Sequence, residues 1–430
     1  MKLKMKLRTF LLAAACLGNA AHAQPVANPD AAVQRAAAAQ KQPLLDTLRE
    51  LVSIETGSGD IEGLTQATEL IATKLRALGA TVNFIEPTEA KTYRMADTPA
   101  RIGRMVRGTF KGAGTKRILL IAHVDTVYLK GALARQPFRI DGNKAYGLGI
   151  SDDKQGIAVI LHTVAMLKQL NFSGYGTLTV LVNADEEISS PGSRVELADA
   201  GAAHDAVLSF EATRVGSDKV SLATSGVGAV EIKVEGRASH AGGAPERGIN
   251  ALYELSHQIL QMRDLSEPQL GLTLNWTISQ AGTSRNVIPA HASAQADVRV
   301  LRVADYDRIE AAVRERGKKQ LLPDAKVTVN FERRRPPLEA NDANRKLAAQ
   351  ALAIYAEIGR KLVVDDQPEG GGTDAAFAQL KTKAPVVERF GLQGFGAHSA
   401  DDEWVLLDSI EPRLYLAARV IMDVARGKGL

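Results

Sequence analysis

The sequence predicts an α/β protein: a mostly parallel sheet with helices on both faces, interrupted by a second, smaller unit of different pattern. Three observations carry this. Ile118-Leu119-Leu120-Ile121 is a short, wholly apolar run, the mark of a strand covered on both faces. Similar runs at 177–182 and 206–210 alternate with stretches of helical periodicity, which puts helices on both sides of one sheet. Near Thr224-Ser225-Gly226 the pattern changes, and Val230, Ile232 and Val234 alternate with Glu231, Lys233 and Glu235, as in a sheet with one wet face.

In order along the chain, residues 1–23 read as a secretory signal peptide. Lys2, Lys4, Lys6 and Arg8 are its basic start, 10–17 its apolar centre and Ala21-His22-Ala23 its cleavage site, which implies export to the periplasm or beyond. The apolar centre is too short to span a bilayer. Residues 28–42 form an Ala- and Gln-rich leader into a first helix at 43–52, and 61–78 form a second helix that stops at Gly79. Strands follow at 81–85, 109–111 and 118–121, with a hairpin at 138–147 turning on Asp141-Gly142. A long amphipathic helix begins at Asp152, where acidic residues suit the helix dipole, and runs to about 170.

After the change of pattern come the strand around Val230, a helix at 250–262, strands at 272–278 and 292–300, a helix at 305–318 and a strand at 326–331. That order, β-α-β-β-α-β, is ferredoxin-like. Helix and strand alternation resumes beyond Arg335-Pro336-Pro337, at 343–358, 386–388 and 412–425. The expected division is a signal peptide at 1–23, a main domain built from 24–224 and 334–430, and an insert at 225–333.

Composition narrows the partners. The chain has 430 residues, 45% of them apolar, enough for two globular domains. The excess of 53 Lys and Arg over 49 Asp and Glu lies wholly in the four basic residues of the signal, so nucleic acid and anionic membrane are poor candidates. The one cysteine, Cys16, also lies in the signal. Neither disulfides nor thiolate metal ligands are therefore expected, and a metal would have to be held by His, Asp and Glu.

Such residues gather at strand ends. His123 and Asp125 follow the 118–121 strand on one face of it, where open α/β sheets build their sites. Asp125 can hold one ring nitrogen of His123 while the other binds a metal. A lone His-x-Asp more often marks a solvated strand end, but Asp152-Asp153, Asp185-Glu186-Glu187, Glu211 and His398, in a Gly-rich loop, occupy equivalent places. Two histidines with several carboxylates suit a pair of zinc ions about 3.5–4 Å apart. Glu186 and Glu187 leave their strand in opposite directions, so one can hold metal while the other takes a proton from water.

The segments Ala122-His-Val-Asp-Thr-Val-Tyr-Leu-Lys130, Tyr146-Gly-Leu-Gly-Ile-Ser-Asp-Asp-Lys154, Asn183-Ala-Asp-Glu-Glu187, Arg237-Ala-Ser-His-Ala241 and Gly370-Gly-Gly-Thr-Asp-Ala375 together resemble the co-catalytic zinc exopeptidase family of aminoacylases and desuccinylases, above all its folate-cleaving glutamate carboxypeptidase branch. The resemblance covers essentially the whole chain after the signal. It implies a zinc-exopeptidase-like catalytic domain, an insert that serves for dimerisation, a homodimer and two zinc ions per subunit. His123, Asp152 and Glu211 would hold one ion, and Asp152, Glu187 and His398 the other. Asp152 would bridge, with a cis bond to Asp153. Glu186 would be the general base, Asp125 would orient His123, and His240 would reach the partner's site to stabilise the oxyanion.

Arg299, Arg335 and Asn286 would bind the substrate carboxylate, which the planar fork of arginine engages with two N–H groups. The loop of Gly371, Gly372 and Thr373 lacks the Gly-Lys-Ser/Thr of a nucleotide loop and reads as backbone lining the substrate pocket. The expected reaction is hydrolysis of the amide bond to a C-terminal amino acid, glutamate first, in N-acyl-amino acids, folate-like compounds or small peptides. One rival is an aminoacylase or broader peptidase of the same family, against which Arg299 and Arg335 argue. Another is a peptide-binding protein without chemistry, against which Glu186 beside a full ligand set argues. Ala397 and Glu369 depart from the pattern of the glutamate branch and bear on side-chain preference.

Overall fold

The computed structural model describes residues 28–368, 370–399 and 401–430; the expected signal peptide and Glu369 lie outside the described residues. The site is organised by a six-stranded sheet with the order 81–85, 105–111, 177–183, 117–123, 206–209, 386–387. The last four strands of that order are parallel, while 81–85 and 105–111 pair antiparallel at one edge. The sheet is thus mixed.

The central strand Arg117–His123 is exposed only at Arg117. Its alternate side chains serve two cores: Ile118 and Leu120 pack with the helices Ala31–Val52, Ile61–Leu78, Gln155–Gln169 and Ile410–Ala425, whereas Leu119 and Ile121 pack with Arg194–Ala203 and Asp374–Gln379. Period-two alternation with both faces apolar is what yields helices on both sides. Each buried Leu or Ile contributes on the order of 1.5–3 kcal/mol.

Three expectations need correction. The first helix spans Ala31–Val52 and not 43–52. Alanine is the strongest helix former, Asp30 caps the start by accepting from the N–H groups of Ala32 and Val33, and Val33, Ala36 and Ala37 bury the same stripe as Leu44 and Leu48. Pro43 sits inside it. The third helix starts at Gln155, because Asp152 (φ −129°, ψ 90°) and Asp153 (φ −132°, ψ 34°) are not helical and the bond between them is cis. Here the acidic pair precedes the helix and does not cap it. The short strand expected at 109–111 extends over Met105–Lys111.

The insert forms a four-stranded antiparallel sheet, ordered 273–281, 291–300, 226–235, 326–335, with helices Ala251–Met262 and Val303–Gly317 over one face. That strand order is the ferredoxin-like one expected. Its core is its own: Val230, Ile232 and Val234 close on Leu255, Ile309 and Val313. A further five-stranded sheet, 139–141, 144–146, 404–406, 393–395, 213–214, is made of strands of only two or three residues and carries the His398 loop. Among the described residues, no helix is long and apolar enough to cross a membrane.

Candidate active site

Parallel pairing levels the strand ends. His123 stands opposite Asn183, and Ile121 opposite Ser209, so Asp125, the 185–187 turn and Glu211 all emerge at one edge of the sheet. Val124 N–H to Asn183 O (2.9 Å) and Phe210 N–H to Ile121 O (3.0 Å) extend the pairing one step past the strands.

Asp125 ties these segments together. It is fully buried, and its carboxylate accepts from Ser58 Oγ (2.7 Å), from the backbone N–H groups of Glu186 (3.0 Å) and Glu187 (3.1 Å), and lies 3.3 Å from Nδ1 of His123. With Nδ1 held, Nε2 of His123 faces the other carboxylates, 3.0 Å from Asp152 Oδ1 and 3.3 Å from Glu211 Oε1. Burial opposes charge on this ring, but Glu211, Asp125 and Asp152 outweigh it and hold the His123 pKa well above its ordinary value.

On the other side, Asp152 Oδ2 lies 3.3 Å and Glu187 Oε2 3.1 Å from His398 Nε2. The two oxygens of Asp152 thus face the two histidines. Donor atoms of His123, Asp153 and Glu211 lie within 4.8 Å of one another, as do those of Asp152, Glu187 and His398. The appearance of Asp153 in the first group was not expected from the sequence. Burial drives the Asp152 pKa up, yet hydrogen bonds from His123 and His398 hold it below the usual carboxylate range. Glu187 is pushed up to about 7 by burial and by the charge of Asp152. Crowded carboxylates with nitrogen and oxygen donors and no thiol are the donor set that divalent zinc takes, and such an ion would relieve their mutual repulsion.

Glu186 is buried beside this group, with Arg335 donating to its side chain and to its backbone carbonyl. Burial pushes its pKa well up, against the pull of Arg335 and His123. Arg335 also lies 3.7 Å from Asp374, which accepts from Asn183 Nδ2 (2.7 Å). Arg335, offered by the sequence as a carboxylate binder, is therefore first of all the partner of Glu186. Gly372 permits this packing, since a Cβ there would meet Arg335 Cδ at 2.2 Å. Thr373 likewise turns its hydroxyl to Glu388, itself pushed up to about 7 by burial and by Glu211.

Arg299 donates to Asp297 (2.8 Å) and to the backbone oxygen of Gly370 (2.8 Å), which anchors the glycine loop. Arg299, Arg335, Gly371, Gly372 and Thr373 line one cavity of about 800 Å³ with Asp152, Glu186, Glu187, Glu211 and His398, and Arg214 and Arg389 line it too. Asn286 and His240 lie outside it within a single chain. They sit together in the insert, where Ala241 N–H donates to Asn286 O (2.9 Å) and the exposed His240 ring accepts at Nδ1 from the N–H groups of Gly242 (3.2 Å) and Gly243 (3.0 Å).

Sequence reasoning missed Asp374, Glu388 and Glu403. Asp374 stands in the glycine-loop segment and could have been found there; Glu388 and Glu403 ended or preceded short apolar runs that gave no sign of what lay across from them.

A level row of strand ends bearing two His-and-carboxylate groups, with a buried Glu beside them and an arginine-lined cavity alongside, is an arrangement that suits a metal-dependent hydrolase. The profile of peptidase family M20/M25/M40 matches residues 119–423, and the chain belongs to that metallopeptidase family. It is 46% identical over 393 residues, 91% of its own length and 92% of the relative's, to carboxypeptidase G2 of Pseudomonas sp. (strain RS-16). It is 29% identical over 278 residues to acetylornithine deacetylase of Klebsiella pneumoniae, covering 60% of this chain and 68% of the relative. In fold it is similar to the M20 family metallo-carboxypeptidase Sso-CP2 of Sulfolobus solfataricus, with a TM-score of 0.69 and 15% identity over 88% of this chain and 98% of that one. Aminopeptidase PepT of Bacillus cereus has a TM-score of 0.71 at 20% identity, over 90% of this chain and 99% of that one.

Proposed function

We propose that the chain is an exported di-zinc carboxypeptidase that hydrolyses the amide bond to a C-terminal amino acid, glutamate first, in N-acyl-amino acids, folate-like compounds or small peptides. The observation that carries this is the meeting of Glu186 and Arg299 with Glu211 of one candidate ligand group and Asp152, Glu187 and His398 of the other at one cavity. Arg214 and Arg389 on the same walls suit a substrate with more than one carboxylate. The likeness to carboxypeptidase G2 over nearly its whole length supports the carboxypeptidase reading.

His123, Asp152 and Glu211 would hold one zinc and Asp152, Glu187 and His398 the other, with Asp152 shared. Bound zinc supplies a Lewis acid that polarises a carbonyl and eases the deprotonation of water. Glu186 takes the proton of the attacking water and passes it to the leaving amine, while Arg335 fixes its position and Asp125 fixes that of His123. Residues 225–333 form the dimerisation insert, set into a catalytic domain of 24–224 and 334–430, and residues 1–23 direct export.

His240 acts on the site of a second copy. Because Gly242 and Gly243 occupy Nδ1, the ring proton lies on Nε2, which is then a donor for the oxyanion. His240→Ala is expected to lower kcat with little change in KM. Mixing it with inactive Glu186→Gln protein under subunit exchange should restore activity, since one site of the mixed dimer receives Glu186 from one chain and His240 from the other. No recovery on mixing would show that His240 does not act across subunits.

The specificity test is hydrolysis of aroyl-glutamate, aroyl-aspartate, aroyl-alanine and aroyl-leucine, first after chelation and then with zinc restored. Activity should vanish on chelation, return with zinc and favour glutamate. Activity centred on alanine or leucine would support the rival with a non-glutamate preference, and activity that survives chelation would overturn the metal mechanism.

A further inference from the structure

His398 occupies an exposed loop and has a positive φ of 66°. The loop joins Gln393–Phe395 to Trp404–Leu406, and these strands pair antiparallel, Phe395 opposite Trp404. Trp404 also stands opposite Tyr146, which places Glu403 beside the segment that leads to Asp152. Gly147 N–H and Gln136 Nε2 both donate to Glu403 O (3.2 Å each), and the residue is fully buried.

Its carboxylate is not part of the cavity wall, and its contacts gather on the segments that carry Asp152 and His398. One oxygen accepts from Ser151 N–H (2.8 Å) and Asp152 N–H (3.1 Å). The other accepts from Gly149 N–H (2.8 Å) and from the phenol of Tyr128 (2.6 Å). That phenol is also 2.9 Å from Ser399 O, the carbonyl next to His398. One carboxylate therefore grips the backbone of Asp152 directly and reaches the His398 loop through Tyr128, whose single phenol proton the Glu403 carboxylate and the Ser399 carbonyl share.

We infer that Glu403, with Tyr128, is a positioning residue that sets Asp152 and His398 for metal binding, with its larger effect at the site of Asp152, Glu187 and His398, two of whose ligands it holds, and a smaller one at the site that shares only Asp152. This rests on the two-metal reading above. The difference between the two sites follows from what Glu403 reaches: His123 and Glu211 are positioned from the strand ends and Asp125, so of that site's three ligands Glu403 touches Asp152 alone.

Replacing a carboxylate by an amide makes the prediction sharp. In Glu403→Gln an NH2 group must face either the Ser151 and Asp152 N–H pair or the Gly149 N–H, donor against donor. Partners that orient metal ligands typically alter metal affinity by about 10–100-fold. Titration of the metal-free full chain with zinc against a chromophoric chelator should give two ions in the unchanged protein. In Glu403→Gln the ion of Asp152, Glu187 and His398 should bind roughly 10–100-fold more weakly, and the ion that shares only Asp152 should weaken by a distinctly smaller factor.

Equal weakening of both ions would mean general loosening and would overturn the inference, as would two unaltered ions. One ion in the unchanged protein would instead sink the two-metal reading itself. Tyr128→Phe removes the phenol's contacts with both Glu403 and Ser399 but leaves the Glu403 carboxylate on the Ser151, Asp152 and Gly149 N–H groups, and it carries the test if Glu403→Gln fails to fold. It should weaken the same ion by a smaller factor, and an unchanged affinity in it would count against the inference.

Discussion

Glu186→Gln is expected to lower kcat by about 10²–10⁴-fold, the share a positioned general base usually supplies, while leaving metal content and melting temperature near those of the unchanged protein. The reason is local. Glu186 is held at three points: its N–H donates to Asp125, its carbonyl accepts from Arg335, and its side chain pairs with the same arginine. A glutamine keeps both backbone bonds and offers Arg335 an oxygen, so the turn has no cause to move. What is lost is the capacity to take a proton. Steady-state kinetics with a C-terminal glutamate substrate, alongside metal analysis, checks this, and full turnover in the variant would remove Glu186 from the proton path.

The same residue shows where sequence reading reaches its limit. The strand that ends at His123 was legible because both its faces are apolar, and a strand buried on both faces leaves its polar residues nowhere to go but the end. His123, Asp125, Glu186 and Glu187 could then be placed at one edge of the sheet. The insert was legible from the plain alternation of Val230, Ile232 and Val234 with charged neighbours. The function of Arg335 was only half legible, because its partner Glu186 lies 149 residues away. Glu403 meets Gly149 across 254 residues, and no local periodicity encodes such a contact. Of the sheet that carries His398 only the 138–147 hairpin was legible, since its other strands, of two or three residues, cannot show a period. The helix expected at Asp152 erred for a related reason: an acidic first turn and an acidic metal site look alike in sequence, and the conformation of Asp152 and Asp153 decides between them.

Asp125→Asn is expected to do broader damage than Glu186→Gln, although it changes one atom of a residue that touches no substrate. An ionised carboxylate only accepts hydrogen bonds, and Asp125 accepts from Ser58, Glu186 N–H and Glu187 N–H while facing Nδ1 of His123. In asparagine an NH2 group replaces one of those oxygens. Turned one way, it faces Glu186 N–H and His123; turned the other, it faces Ser58 and Glu187 N–H. Either way a buried donor loses its acceptor, at about 1–3 kcal/mol for each. His123 also loses the negative charge that fixes its ring, so metal affinity should fall by about 10–100-fold and turnover with it. The discriminating measurement is zinc affinity together with thermal melting. Glu186→Gln should change neither, whereas Asp125→Asn should lower both. Unchanged zinc binding in Asp125→Asn would mean that His123 is oriented by the fold of the strand end and not by this carboxylate.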